Sequence, residues 1–122
     1  MSRSPSPDQL LPLTPLSIAI LLVLADGPLH GYGLIKALEL ETEGRIVPAA
    51  GTLYAALQRM VDERLIEEAD PPATPDADQR RRYYALTAFG RDVARAELRR
   101  LSRLLALGSA KRLAPGLLGG RT

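Results

Sequence analysis

Between two clear punctuation marks, Thr14-Pro15 and Asp26-Gly27-Pro28, the chain carries a run from Leu16 to Ala25 that is apolar on nearly every side. Thr14 can cap a helix, and Pro15 fits its first turn, where a missing N–H costs nothing. Leu16, Ile18, Ile20, Leu21, Leu22, Val23 and Leu24 then cover almost the whole circumference. A helix of that kind must be covered on both sides, by its own domain and by another subunit. Leu21 and Leu24 are accordingly expected at a dimer interface. The run is half the length needed to cross a bilayer and no signal-peptide pattern leads into it. A soluble cytoplasmic protein with no membrane partner is expected.

The rest of the core must also be aliphatic, because 122 residues include no Trp, one Phe and four Tyr. Leu and Ala favour helices over strands. The segment from His30 to about Glu43 reads as a second helix, with Tyr32, Leu34, Ile35 and Leu38 inward and Gly44 as its stop. His30 is a cap or turn residue. Ile46-Val47-Pro48 leads to a third helix from about Ala50 to Asp62, where Leu53, Leu57 and Met60 or Val61 form the buried stripe. Three short helices with tight connections make a cluster whose third member can project, which is helix-turn-helix geometry.

A different pattern follows. Leu65 to Glu68 reads as a strand, Asp70 to Gln79 with its three Pro as a long tip, and Arg82 to Leu86 as the returning strand. Tyr83 and Tyr84 alternate across that strand, so one is expected to pack and the other to lie exposed. The hairpin is a wing. Thr87 then caps a last helix from Ala88 to roughly Ala110, with Ala94, Leu98, Leu101 and Leu105 in a stripe that no later element covers. Leu98, Leu101 and Leu105 are therefore expected at a homodimer interface. The predicted organisation is a mobile arm (1–12), a winged helix-turn-helix domain (13–87), a dimerisation helix (88–112) and a flexible tail (113–122). The fold class is mainly α with a small β-hairpin.

Charge is distributed unevenly behind a net value of +2. Residues 10–77 carry four basic side chains against ten acidic ones, whereas residues 78–112 carry ten basic against three acidic. A basic C-terminal third suits an anionic partner. With no cysteine and one histidine, disulfides, thiolate metal sites and clustered acid–base chemistry are excluded. Gly31-x-Gly33 lacks the third glycine and preceding strand of a dinucleotide-binding loop. An enzyme is not expected, and no cofactor or metal is implied.

A projecting helix and a basic wing together fit double-stranded DNA, whose major groove admits one helix. Thr52 and Tyr54 offer hydroxyls at the start of the third helix, where the dipole favours an anion. Tyr54 fits equally an edge aromatic. Gln58 can reach a base edge or a phosphate, and Arg59 a phosphate or an acidic neighbour. This helix has one Arg and no Lys, so Arg80, Arg81 and Arg82 of the wing are expected to supply the sequence-independent affinity. The ring of Tyr32 is expected to pack, and the arginines of the last helix to act as solubilising groups.

Three runs, His30-Gly31-Tyr32-Gly33, Gly51-Thr52-Leu53-Tyr54-Ala55-Ala56-Leu57 and Tyr83-Tyr84-Ala85-Leu86-Thr87-Ala88-Phe89-Gly90, occur in an order that resembles the PadR family of bacterial transcriptional regulators. The resemblance covers about Leu13 to Arg112. It implies a winged helix-turn-helix repressor, dimeric through its first and last helices, that binds an operator and responds to a small hydrophobic or phenolic effector. It also implies that Tyr32 packs at the start of the second helix, that Thr52 and Tyr54 meet the DNA backbone, and that Arg82 and Tyr84 belong to the wing. The chain departs from the family pattern in places. Ala55 stands where many relatives have Pro, and Arg64 where Gly commonly precedes the Leu-Ile pair. Ala49 or Ala50 replaces a polar cap. Without tryptophan, relatives that sandwich flat drugs between tryptophans are a poor guide, and from the short C-terminus the larger effector domain of longer relatives is not expected. The rival reading is a winged helix that holds another protein rather than DNA.

Overall fold

Local capping decides where most of the helices begin. In the computed structural model, which describes residues 5–114, α1 (Pro15–Leu24) starts at Thr14, whose hydroxyl accepts the Ser17 N–H. α2 (Gly31–Glu41) starts at His30, whose Nδ1 accepts the Gly33 N–H at 3.0 Å. α3 (Ala50–Asp62) follows Ala49, which offers no side-chain cap, as expected from the sequence. α4 (Ala88–Ala110) starts at Thr87, whose hydroxyl accepts the Gly90 N–H at 2.8 Å.

The last three helices also end alike. Glu43, Arg64 and Arg112 adopt φ of 57°, 65° and 64°. Behind them Gly44, Leu65 and Leu113 donate N–H bonds to the carbonyls of Glu39, Met60 and Gly108 at 2.8, 2.9 and 2.8 Å. This is the Schellman closure, which usually places glycine at the left-handed position. A side chain there costs about 1 kcal/mol, so at Arg64 the chain accepts strain that glycine would avoid. The turn has a further function in packing. Thr87 Oγ1 donates toward the Arg64 and Leu65 carbonyls at 2.7 and 3.0 Å, and a Cβ on Gly90 would collide with the Leu65 oxygen. Gly90 thus lets α4 rest directly on the end of α3.

β2 (Ile66–Ala69) and β3 (Tyr83–Leu86) form the predicted hairpin, with Ile66 opposite Leu86 and Ala69 opposite Tyr83. A third strand, β1 (Leu29–His30), was not legible in the sequence, since two residues offer no alternation. It pairs antiparallel with β3, Leu29 opposite Tyr84, giving the order β1-β3-β2. The result is a mainly helical winged helix with a long fourth helix.

One core joins Ile20, Leu34, Leu38, Leu53, Leu57, Met60, Leu65, Ile66 and Val93. Leu53 and Leu57 sit where their spacing predicts. Leu21 and Leu24 correct the sequence reading: at 0% and 2% exposed they are spent inside the chain and have no face left for a partner. α1 is flanked by α2, α3, β3 and α4, so its own domain supplies most of the cover that its composition demands, leaving Leu22 exposed. Tyr84 is a second correction, 5% exposed and part of the core instead of the wing surface. Tyr83 is equally buried, because β3 is covered on both faces. His30 meets its ring edge-on at 5.2 Å, and its hydroxyl accepts the Asp78 N–H at 3.1 Å.

The segment before α1 also departs from expectation. Pro7–Leu10 forms a 3-10 turn against α4, and Leu10, Leu11 and Leu13 pack on the core. The Leu13 N–H donates to Glu97 Oε2 at 3.2 Å. Glu97 is 1% exposed, and a buried carboxylate needs partners. Arg100 provides them through Nε at 2.6 Å and Nη2 at 2.9 Å. That guanidinium, ahead of the Leu13 amide, holds the Glu97 carboxyl below its ordinary pKa against the opposing effect of burial. Beyond Glu97 the stripe of α4 emerges from the fold. Leu98, Leu101 and Leu105 are exposed, as are Leu104 and Leu107. Residues 1–4 of the predicted arm and 115–122 of the predicted tail lie outside the described residues.

Candidate nucleic-acid interface

The N-terminal turns of α3 stand out from the domain because Leu53, Ala56, Leu57 and Met60 anchor its opposite face. Gly51, Thr52, Tyr54, Ala55, Gln58 and Arg59 are exposed. The Thr52 hydroxyl makes no hydrogen bond among the described residues. Gln58 Nε2 donates to Asp62 Oδ1 at 3.0 Å, an exposed bond between successive turns that water or a base can replace. Arg59 is less free: its Nη2 donates to Ser17 Oγ at 2.8 Å, tying α3 to the first turn of α1 instead of to an acidic neighbour.

Tyr54 explains a glycine. Its ring is half exposed, but its hydroxyl lies over the Cα of Gly31, where any Cβ would clash. The first glycine of His30-Gly31-Tyr32-Gly33 is therefore the complement of Tyr54, which joins the start of α2 to the start of α3. Both residues were visible in the sequence, but their pairing was not.

The wing arginines each have a carboxylate beside them. Arg80 Nε and Arg81 Nε reach Asp78 Oδ1 and Oδ2 at 3.5 and 3.1 Å, and Arg82 Nε lies 3.6 Å from Glu68 Oε1. Asp78 also accepts the Arg80 N–H at 3.0 Å. That backbone bond is the first cause of its lowered pKa. Sequence reasoning passed over Asp78, although an Asp two residues before a run of arginines is a local signal for a side-chain-to-backbone turn. The Tyr84 side chain, ahead of Glu68, raises the Arg82 pKa above its ordinary value. All three arginine–carboxylate pairs are exposed, contribute little to stability, and can exchange for phosphate.

Tyr32 is the third correction. Expected in the core, it is 55% exposed and lies where the start of α2 meets the wing. Lys36 Nζ is 5.7 Å and Arg81 Cζ 5.8 Å from the centre of its ring. His30 stacks on it at 6.4 Å. Burial, and then Arg81, lower the His30 pKa from 6.5, which favours the neutral ring whose Nδ1 caps α2.

The surface has open depressions, among them one of about 470 Å³ lined by Lys36, Glu39, Leu40 and Glu43 of α2 and its end. Another of about 640 Å³ is lined by Val61, Arg64, Ile66 and Phe89, and one of about 190 Å³ lies between the end of α1, Ala85, Leu86 and Arg91 of α4. No group of acidic and His side chains among the described residues could hold a metal ion, and none of the described helices is long and apolar enough to cross a membrane.

Residues 20–96 match the family described as "Transcriptional regulator PadR-like family". The chain belongs to that family. Membership agrees with the expectation of a winged helix-turn-helix transcriptional regulator of the DNA-binding kind. Solved structures with the same fold include a PadR family transcription regulator from Clostridium difficile, 24% identical with a TM-score of 0.65 over 80% of this chain and 97% of that one. A PadR-like transcriptional regulator from Bacillus cereus is 24% identical with a TM-score of 0.63 over 83% and 93% of the two chains. H. salinarum RosR is 25% identical with a TM-score of 0.62 over 84% and 86%. A curated relative, an uncharacterized 37.1 kDa protein in a transposon of Streptomyces fradiae, is 35% identical over 70% of this chain. This PadR-like chain spans only 22% of that relative's length.

Proposed function

We propose that this PadR-like protein is a cytoplasmic homodimer that binds double-stranded operator DNA sequence-specifically and represses transcription by occupying it. The observation that carries this reading is the convergence of the exposed face of α3 with the wing by way of α2: the Tyr54 hydroxyl sits on Gly31, and Arg81 of the wing lies over the neighbouring Tyr32 ring. α3 enters the major groove, where Gln58 meets base edges and Thr52 and Tyr54 meet phosphates. Arg80, Arg81 and Arg82 contact the flanking backbone: Arg80 and Arg82 exchange Asp78 and Glu68 for phosphate oxygens, whereas Arg81 presents its outer nitrogens with Nε still held by Asp78. Leu98, Leu101 and Leu105 cover one another across a two-fold axis. That pairing presents two α3 helices to grooves about one helical turn apart. A small hydrophobic or phenolic effector releases the DNA.

Electrophoretic mobility shift with the gene's own upstream region tests the reading: a shift with a partly palindromic footprint is expected. Neutralising Arg80, Arg81 and Arg82 together is expected to weaken binding to all sequences and lower its salt dependence. One observation favours a second reading, a winged helix that holds a protein. The hairpin from residue 66 to 86 carries five carboxylates against its three arginines. A folded dimer that shifts no DNA even in low salt would favour that alternative.

A further inference from the structure

The exposed Tyr32 is not explained by helix packing. It carries two cations contributed by different elements, Lys36 from the next turn of α2 and Arg81 from the wing. Each lies within the roughly 6 Å at which a cation is drawn to an aromatic ring. Like charges converge on this ring at a cost, and Asp78, a carboxylate near them that also holds Arg80, meets Arg81 only at its Nε. Lys36 forms no ion pair among the described residues. The place is also continuous with the proposed DNA surface. Gly31, beneath the Tyr54 hydroxyl, directly precedes Tyr32, and Arg82 directly follows Arg81.

We infer that Tyr32, Lys36 and Arg81 form a site for one backbone phosphate of the duplex, clamped between the start of α2 and the wing. The inference rests on the DNA-binding reading above and adds α2 to its contact surface. The phosphate oxygens accept from the Lys36 ammonium, from the outer nitrogens of Arg81 and from the Tyr32 hydroxyl. The ring keeps both cations in place before the duplex arrives. Asp78 is the positioning residue: its hold on Nε leaves the outer edge of the Arg81 guanidinium free. The first helix of a helix-turn-helix crosses the backbone, so a phosphate grip at this point fixes how deeply α3 sits in the groove.

The test measures binding of the full chain to a random-sequence 30-base-pair duplex as a function of salt. Lys36→Gln and Arg81→Gln are each expected to lower the slope of log affinity against log salt by about 0.9, and to weaken binding roughly five- to tenfold at 0.1 M salt. Tyr32→Phe, which keeps the ring, is expected to retain the slope and lose about threefold in affinity. Tyr32→Ala is expected to behave like the loss of a cation. Lys111→Gln, at the far end of α4, serves as the distant charge control. Thermal melting by circular dichroism checks that each variant is folded, which the exposure of Tyr32 and Lys36 favours. If the unaltered protein binds and Lys36→Gln leaves the slope unchanged, the phosphate site is overturned and the DNA-binding reading stands. If the unaltered protein binds no duplex in low salt, the DNA-binding reading falls and takes the site with it.

Discussion

The two halves of α4 share Ala and Arg, but all of its Leu residues lie in the second, and the halves meet different surroundings. From Gly90 to Glu97 the helix is wedged into the domain. Gly90 touches the Leu65 carbonyl, Val93 and Ala94 join the core, and Glu97 fastens the segment before α1. From Leu98 onward the same three- and four-residue rhythm continues into solvent. A helical stripe therefore records that something must cover it, and only the other elements decide whether the chain itself does so. The first half holds the chain together, and the second stands exposed, which is why it is the half proposed for a partner.

The strongest challenge to that contrast is the double variant Leu101→Glu, Leu105→Glu. Four carboxylates across a two-fold interface are expected to weaken dimerisation at least about a thousandfold. The stability of the single chain should change by less than about 0.5 kcal/mol, as for other surface substitutions. Sedimentation velocity reads the first quantity and denaturant titration of the dilute protein the second. Equal loss of both would erase the distinction between the halves.

Gly90→Ala attacks the other half. Its Cβ must displace a backbone carbonyl, so destabilisation of about 3 kcal/mol is expected from overpacking, measured by urea unfolding. Glu97→Ala removes the acceptor from Arg100 and from the Leu13 N–H and is expected to lower Tm by roughly 5–10 °C. The native protein should show the same contribution through pH. The Glu97 carboxyl is held below its unfolded value of 4.5. Its stabilisation is fully present above about pH 4.5 and is lost as pH falls through the lower folded value. Glu97→Gln is expected to flatten that part of a stability–pH curve. The smallest effect is expected from Arg64→Gly. Relief of the left-handed turn beneath Gly90 should stabilise by up to about 1 kcal/mol, offset in part by the greater freedom of glycine in the unfolded chain. Destabilisation instead would mean that the Arg64 side chain contributes more than its backbone costs.

Much of the fold was legible because it is written locally. The limits of α1, α3 and α4 were readable from Thr14, Pro48 and Thr87, and the end of α2 from Gly44, whose φ is 78°. The hairpin and the buried stripe of α3 were equally clear. The candidate site was legible in its elements but less so in its side chains. Tyr32 and Tyr84 exchanged their expected places, because an aromatic residue fits both a core and a rim and nothing in its neighbours distinguishes the two. Leu21 and Leu24 were assigned to a partner that their own domain replaced. Glu97 and Arg100 are spaced as an i,i+3 pair, but that spacing is common on solvated helix faces and did not reveal a buried anchor.

By itself, the sequence determined the four α-helices and their approximate extents, the aliphatic character of the core, the capless start of α3 and the apolar stripe along α4. A cap acts over three residues and a stripe over a few turns, so both survive in a one-dimensional reading. The tertiary structure alone decided which half of α4 is spent within the domain. It also seated the Tyr54 hydroxyl over Gly31 and brought the Leu13 N–H to a carboxylate 84 positions away. Burial is the sum of what distant segments bring to one place, and no local pattern of residues carries that sum.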